Sequence, residues 1–209
     1  MPELIERIQR AMDGAHMDWE TDREDRGGGS AKVATRALKR RVWEMGFDYC
    51  CVYPKANELG DGADEFARAQ LLARGVETSG PTHIGFTQSE FQYDVSWLEY
   101  YEEHQSADTL PRFKRAVLAL ECEFNRERHV LYDFDKLLCA RADLRVMVWG
   151  SQFERGFAEV PEHLRSARGS DEGWWLLTSW GIDSPRHRVY HNGERIEELE
   201  ATSEHARER

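Results

Sequence analysis

The chain has 209 residues, 40% of them hydrophobic, and its 28 lysine and arginine residues against 39 aspartate and glutamate residues give a formal net charge of -11. This length and composition predict one compact domain and leave too little chain for two. No segment approaches the length of a membrane span and no apolar leader follows the first residues, so the sequence predicts a soluble, cytoplasmic protein without a membrane partner.

Residues 1–30 are predicted to form a helix followed by a flexible linker. Apolar residues recur with helical spacing up to about Ala15, namely Leu4, Ile5, Ile8 and Met12. The residues after Ala15 mix many charges with a glycine run at 27–29, which is typical of a mobile linker. We therefore expect an appended helix, with the folded core beginning at Ala31.

The segment KVATRALKRR, at residues 32–41, is basic, helix-prone and free of acidic residues. Its cationic side chains are Lys32, Arg36, Lys39, Arg40 and Arg41. Lysine and arginine supply most of the affinity for nucleic acid by displacing counterions from phosphates, so this helix is a candidate nucleic-acid-binding surface. The alternative is an amphipathic surface helix that packs on a sheet through Val33, Ala37 and Trp43, and one helix can serve both purposes.

Four apolar or aromatic stretches are predicted to pair in one sheet. They are FDYCCVYP ending at Pro54, FQYDVSW around Asp94, AVLALECE ending at Glu123 and LRVMVW ending at Trp149. The last has no acid or turn signal in its middle, so we expect a central strand beside the one that ends in ExE, joined to it by the helix near Phe134 through a right-handed crossover. Between the first two stretches, a loop and a short helix ending at Gly75 are predicted.

Three carboxylates are expected to meet where these strands end. Side chains alternate in an extended strand, so Glu121 and Glu123 share one face while Cys122 occupies the other. Asp94, in the middle of the preceding predicted strand, is the third acid. Such neighbours repel one another near neutral pH unless a metal ion, a shared proton or a cation compensates. The alternative is a solvated strand end.

A strand bearing aspartate, a turn, an apolar strand ending in ExE, a helix and a further strand together resemble the core of the PD-(D/E)XK nuclease superfamily. The resemblance covers roughly residues 31–150 and implies a restriction-endonuclease-like α/β fold with a mixed central sheet flanked by helices. Residues 151–209 are predicted to extend the same domain with a helix and a β-hairpin, whose turn is indicated by Asn192-Gly193.

The resemblance also implies phosphodiester hydrolysis that depends on magnesium or manganese. In that family the aspartate and the acid of (D/E)xK bind the metal, a role that falls here to Asp94 and Glu121 with help from the Cys122 carbonyl. The chain departs from the family at two points: Tyr93 stands where the family has proline, and Glu123 stands at the lysine position. Some restriction enzymes also carry ExE at this place.

In other branches of the superfamily the charged residues are redistributed onto the following helix, where this chain offers Lys136. Glu123 or Lys136 is then the candidate for orienting the attacking water. Helical phase argues against Lys136, because Leu131, Phe134 and Leu138 define an apolar face that places it nearly opposite. The family often recruits a further acid from its first helix, and three residues are open as candidates: Glu44, Glu58 and Glu65.

The acidic net charge weakens the nucleic-acid hypothesis, because the molecule as a whole repels DNA. A second hypothesis is therefore a catalytically inactive protein of the same fold that acts as a protein-binding or regulatory module, with a protein partner or a second copy of itself. A third is an interaction module unrelated to nucleases, whose seven tryptophans serve as core and interface anchors. His187 and His191 are interpreted as surface or partner-facing imidazoles.

Overall fold

A computed structural model describes residues 1–26, 31–49, 52–75, 93–101, 113–124, 126–153, 164 and 172–199. Its helices are α1 (Pro2–Arg26), α2 (Ala31–Met45), α3 (Ala63–Ala73) and α4 (Glu127–Leu138). Its strands are β1 (Val52–Ala56), β2 (Val95–Tyr100), β3 (Phe113–Glu123), β4 (Ala142–Gly150), β5 (Trp174–Trp180), β6 (Pro185–His191) and β7 (Glu194–Arg195). No helix in these ranges is long and apolar enough to cross a membrane.

The seven described strands form one mixed sheet in the order in which they occur along the chain. Strands β1, β2 and β3 are antiparallel neighbours, β3, β4 and β5 are parallel, and β6 and β7 continue the sheet in antiparallel fashion. Helix α4 connects β3 to its parallel neighbour β4. The prediction that the four stretches pair in one sheet is confirmed, and the fold is of the α/β class.

Strand β4 lies at the centre of the sheet and is covered on both faces. Leu144, Val146 and Val148 enter the hydrophobic cluster formed with α1 and α2, whereas Met147 and Trp149 enter the cluster formed with α4. This alternation is what a strand with period 2 gives when helices cover both sides of a sheet. The central, doubly covered position predicted for LRVMVW is confirmed.

The N-terminal helix is longer and more deeply integrated than predicted. Helix α1 runs to Arg26, through most of the segment predicted to be a linker, and residues 27–30 lie outside the described part. The segment from His16 to Arg26 contains no glycine or proline to end a helix, so the helix continues through it. The apolar residues predicted for α1 are buried in the core: Leu4, Ile5, Ile8 and Met12.

Two buried histidines attach α1 to the sheet. His16 Nε2 lies 2.9 Å from the carbonyl oxygen of Gly181. His187 on β6 lies between two partners, with Nδ1 at 2.9 Å from Thr178 Oγ1 and Nε2 at 3.2 Å from Asp13 Oδ1 of α1. The interpretation of His187 as a surface imidazole is therefore wrong, because α1 covers the strand face on which it lies. His191 stacks on Trp174 with ring centroids 4.0 Å apart.

The first strand begins later than predicted and passes through Pro54. Residues Gly46–Asp48 form a 3-10 turn, and β1 extends from Val52 to Ala56. Proline has no N–H to donate, so it is tolerated in a strand only where one edge is unpaired. Strand β1 is such an edge strand, because its described neighbour is β2 alone.

Two local predictions at glycines are confirmed. Helix α3 ends just before Gly75, which has a φ of 75°. Asn192 and Gly193 have φ values of 52° and 78° and connect β6 to β7, as an Asn-Gly hairpin turn requires. The helix predicted between 151 and 169 lies outside the described residues apart from 151–153 and 164.

Candidate functional site

Asp94 lies directly before β2, not in the middle of a strand as predicted. Its Oδ2 accepts hydrogen bonds from the Cys122 backbone N–H at 2.9 Å and from the Cys122 thiol at 3.2 Å. Because Val95 pairs with Leu120 in the antiparallel register, the chain at Asp94 reaches the level of Glu121. The structure thus places the Asp94 carboxylate beside the ExE end of β3, which was predicted.

Glu121 is almost completely buried, with 3% of its surface exposed, and carries its charge on the sheet face covered by α4. Its Oε1 lies 2.5 Å from Lys136 Nζ. Burial and the neighbouring Asp94 carboxylate nevertheless outweigh this cation and raise the pKa of Glu121 to about 8. The side chain is therefore a carboxyl group that needs more positive charge to ionise at neutral pH.

Lys136 faces the acids, contrary to the predicted helical phase. The buried residues of α4 are Val130, Phe134 and Leu137, while Leu131 is 40% exposed. Each residue advances about 100° around a helix, so this apolar face turns the flank that carries Lys136 toward β3. Burial lowers the pKa of Lys136, but the hydrogen bond and charge of Glu121 and the contact with Asp133 outweigh it and raise that pKa.

Three more side chains lie near Glu121, Lys136 or the neighbouring Glu123. Asp133 Oδ1 lies 3.1 Å from Lys136 Nζ, and burial raises the pKa of Asp133 despite that ammonium group. His129 Nδ1 lies 3.4 Å from Glu123 Oε2, so the second acid of ExE has an imidazole neighbour on α4. Tyr93, at the family's proline position, is half-buried, and burial together with the Glu121 charge raises its pKa.

The basic helix contributes three of its five cations to a cleft of about 330 Å³. Lys32, Arg36 and Lys39 lie on one side of this cleft, which also contains Glu58 and Glu123. At about 100° per residue, positions 32, 36 and 39 fall within one narrow stripe of α2. The side chains Lys32, Arg36 and Lys39 are called the basic stripe below.

Arg40 and Arg41 do not join the basic stripe, so the predicted five-residue surface divides. Arg40 pairs with Glu44 along α2, and its guanidinium lies 5.5 Å from the ring centre of Trp43. Arg41 projects to the other side of the helix, where its Nη2 lies 2.6 Å from Asp18 Oδ2 on α1. Both arginines form ion pairs within the fold, and Glu44 is the partner of Arg40.

Lys39, a residue of the basic stripe, lies in a position that its sequence neighbours do not indicate. Only 4% of it is exposed, and its Nζ lies 2.5 Å from Asp94 Oδ1 and 2.8 Å from Asn57 Oδ1. Burial lowers its pKa, but the charge of Asp94, the hydrogen bond to Asp94 and weaker contributions such as Glu58 together outweigh burial and raise the pKa of Lys39. Buried Glu121 and partly buried Asp94 are therefore each accompanied by their own lysine.

The carboxylates at the end of β3 meet only some of the requirements of a binding site for a hard divalent cation. Among the residues that the structure describes, no three His, Cys, Asp or Glu side chains are arranged to hold a metal. Magnesium, however, is commonly held by one or two protein carboxylates and keeps several waters. Asp94 and Glu121 supply two such carboxylates, and Lys136 Nζ lies 2.5 Å from Glu121 Oε1. A divalent cation stabilises a buried carboxyl group such as Glu121 that lies near a second carboxylate such as Asp94.

The Cys122 carbonyl stays a predicted ligand. In an extended strand, the N–H and C=O of one residue point to the same side. The N–H of Cys122 donates to Asp94, so its carbonyl belongs to the Asp94 side of β3. The thiol is buried, and burial together with the Asp94 charge raises the pKa of Cys122 well above its ordinary value.

No family model, no curated protein and no solved structure matches this chain. Resemblance to the PD-(D/E)XK superfamily therefore stays a hypothesis. It is carried by the order of the elements and by the acids and lysines around the end of β3.

Proposed function

We propose that the chain is a divalent-metal-dependent nuclease of PD-(D/E)XK type that hydrolyses phosphodiester bonds of nucleic acid. The observation that carries this proposal is the grouping of Asp94, Glu121 and Lys136 at the end of the strand written ExE. The order α2, β1, α3, β2, β3, α4, β4 supports it, since a helix joins the ExE strand to a parallel neighbour. We further propose that these elements form a restriction-endonuclease-like core.

In this proposal Asp94, Glu121 and the Cys122 carbonyl hold Mg²⁺ or Mn²⁺. The bound ion supplies polarisation of the scissile phosphate and a lowered pKa of its water. Lys136 takes the place of the family lysine, favours the ionised form of Glu121 and presents N–H donors to the attacking water. Glu123, beside His129, accepts a proton at the rim of the cleft.

Cleavage of a nucleic-acid panel tests the proposal. Single- and double-stranded DNA and RNA are incubated with Mg²⁺ or Mn²⁺, or with EDTA, and we expect cleavage only with metal. Asp94→Asn should remove it, because the substitution takes away a metal-binding charge. Asp143→Asn is the matched control, since Asp143 pairs with Arg115 at the other end of β3 and β4. Absence of cleavage in every reaction, or an unchanged rate in Asp94→Asn, contradicts the nuclease.

The basic stripe should bind the sugar–phosphate backbone. Replacing Lys32 and Arg36 with alanine should weaken duplex binding in EDTA and lower the slope of log K against log salt by about 2, because two phosphate contacts are lost at roughly 0.9 each. The measurement is fluorescence anisotropy of a labelled duplex at several salt concentrations. Arg10→Ala with Arg41→Ala removes the same charge away from the cleft. Equal effects in both double variants contradict a specific role of the stripe.

The second candidate is a catalytically inactive protein of this fold that binds a protein partner or a second copy of itself. It is favoured by the contacts Lys39–Asp94 and Lys136–Glu121, in which a lysine already occupies a position beside each acid, and by the net charge of -11. The same panel separates the two functions, since an inactive module cleaves nothing and shows no metal-dependent change. Light scattering of the purified protein then gives its oligomeric state.

A further inference from the structure

Lys39 is a buried lysine held at the centre of the site by two partners from different parts of the chain. Its ammonium group touches Asp94 Oδ1 at 2.5 Å and donates to Asn57 Oδ1 at 2.8 Å. Asn57 itself is exposed at the end of β1. This lysine therefore has one strong electrostatic partner and one surface anchor.

A divalent cation and an ammonium group compete for one carboxylate. Two positive charges a few ångströms apart repel each other, and most strongly where burial reduces screening by water. The other oxygen of Asp94 already accepts two hydrogen bonds from Cys122. A cation that binds Asp94 thus meets Lys39 at the oxygen that is otherwise best placed for it.

The cleft beside α2 can accept the ammonium group of Lys39 once it leaves Asp94. Lys39 is a lining residue of the cleft that also holds Lys32 and Arg36, and a lysine side chain is long and flexible. Once its partner at Asp94 is neutralised by metal, the same charge adds to the basic stripe and becomes available to a phosphate oxygen. A single side chain then connects metal binding with nucleic-acid binding.

We propose that Lys39 competes with the divalent cation for Asp94 and that metal binding releases its ammonium group to bind a nucleic-acid phosphate in the cleft. This inference rests on the proposed function, because it assigns Asp94 to the metal. Binding of metal and binding of nucleic acid then favour each other by the same factor, as linkage requires. Within the proposed nuclease Lys39 is a substrate-binding residue that becomes available only when the metal is bound.

Asn57→Ala is the sharpest test, since it weakens the lysine's anchor without changing any charge. Manganese affinity is measured by isothermal titration calorimetry on the full chain at constant pH and salt. We expect Asn57→Ala to bind Mn²⁺ about 2- to 10-fold more tightly than wild type, the range given by loss of one hydrogen bond in the competing state. Lys39→Gln should bind Mn²⁺ at least as tightly, and Lys114→Gln, a remote charge removal, should match wild type.

The second measurement is the affinity for a labelled phosphorothioate oligonucleotide with and without Mn²⁺. Wild type and Asn57→Ala should bind it roughly 5-fold or more tightly with Mn²⁺, within the range of typical coupling, and Lys39→Gln should lose that gain. Equal Mn²⁺ affinities in wild type and Asn57→Ala overturn the competition. If Mn²⁺ still tightens oligonucleotide binding in Lys39→Gln, the release of Lys39 into the cleft is overturned. A wild type that cleaves nucleic acid but gives either result rejects only this inference, whereas one that binds no Mn²⁺ rejects the proposed function as well.

Discussion

Replacing Lys136 with methionine should slow phosphodiester cleavage by about 100- to 10,000-fold, the range found when one positioned proton-transfer or charge-stabilising group is removed. The ammonium group lies 2.5 Å from Glu121 and 3.1 Å from Asp133, and only 23% of the side chain is exposed. Without it, burial and Asp94 act on Glu121 unopposed and raise its pKa further above about 8. Initial rates with saturating metal measure the loss.

The pH dependence of the Lys136→Met variant distinguishes two roles for this lysine. If Lys136 acts only by favouring ionised Glu121, the variant should regain activity as the pH rises beyond the wild-type optimum. If it also orients the attacking water, the loss should persist at every pH. Lys114→Met is the matched control, because Lys114 is an exposed lysine paired with Glu99 at the opposite end of β3. A rate equal to wild type in Lys136→Met removes this residue from the proposed mechanism.

The sheet could be predicted from the sequence because its signals are local. Period-2 alternation, an apolar run without internal acids and an Asn-Gly turn each act over a few residues. Strand β4 could be placed at the centre for the same reason, since residues on both of its faces are apolar. The sequence predicts that the first strand ends at Pro54, whereas β1 passes through it, because whether a strand lies at an edge and tolerates proline depends on the whole sheet.

The phase of α4 could not be fixed from its own sequence. Val130, Leu131, Leu137 and Leu138 supply apolar residues on two adjacent flanks, and only packing against the sheet decides which flank is buried. A predicted apolar face that contains Leu131 and Leu138 gives α4 an orientation in which Lys136 points away from the acids, whereas the observed face contains Val130 and Leu137. The contact between Lys136 on α4 and Glu121 on β3 depends on this orientation, so the sequence does not predict it.

The role of Lys39 depends on contacts far apart in the sequence. Asp94 and Asn57 come from other elements, and no spacing along α2 indicates either contact. One signal was present: Lys39 lies four residues after Thr35 and four before Trp43, on the side of the helix that is partly apolar. A basic residue there is more often buried and paired than its neighbours at Arg40 and Arg41.

Without metal, Glu121→Gln should make the protein more stable than wild type at pH 9 and change stability little at pH 4. The pKa of Glu121 rises from an ordinary 4.5 to about 8, first through burial and then through Asp94. The folded state therefore holds the proton more tightly, and the stability that this gives is complete below pH 4.5 and is lost as the pH rises through about 8. Glutamine has no proton to lose. The gap above pH 8 is at most about 5 kcal/mol, from roughly 1.36 kcal/mol per pKa unit.

Urea denaturation across this pH range measures the gap. Glu99→Gln is the control, because the pKa of Glu99 is shifted in the opposite direction: hydrogen bonds from Lys114 and Arg115 lower it. Its carboxylate contributes stability above its ordinary pKa, so that variant should not gain stability at high pH. A Glu121→Gln protein that loses stability at pH 9 contradicts the view that Glu121 is a strained, buried acid.

Magnesium should stabilise wild type more than it stabilises Glu121→Gln. A ligand that binds only the folded state at about 100 times its dissociation constant adds roughly 2.7 kcal/mol, which raises the melting temperature of a domain of this size by several degrees. Wild type should gain this in millimolar magnesium at pH 8, whereas Glu121→Gln should lose most of it, because the variant lacks one of the two proposed metal-binding carboxylates. Metal also releases the proton that Glu121 holds, so the wild-type shift should grow as the pH rises from 6 to 9. Equal magnesium shifts in both proteins would remove Glu121 from the metal site even if no nucleic-acid substrate is known.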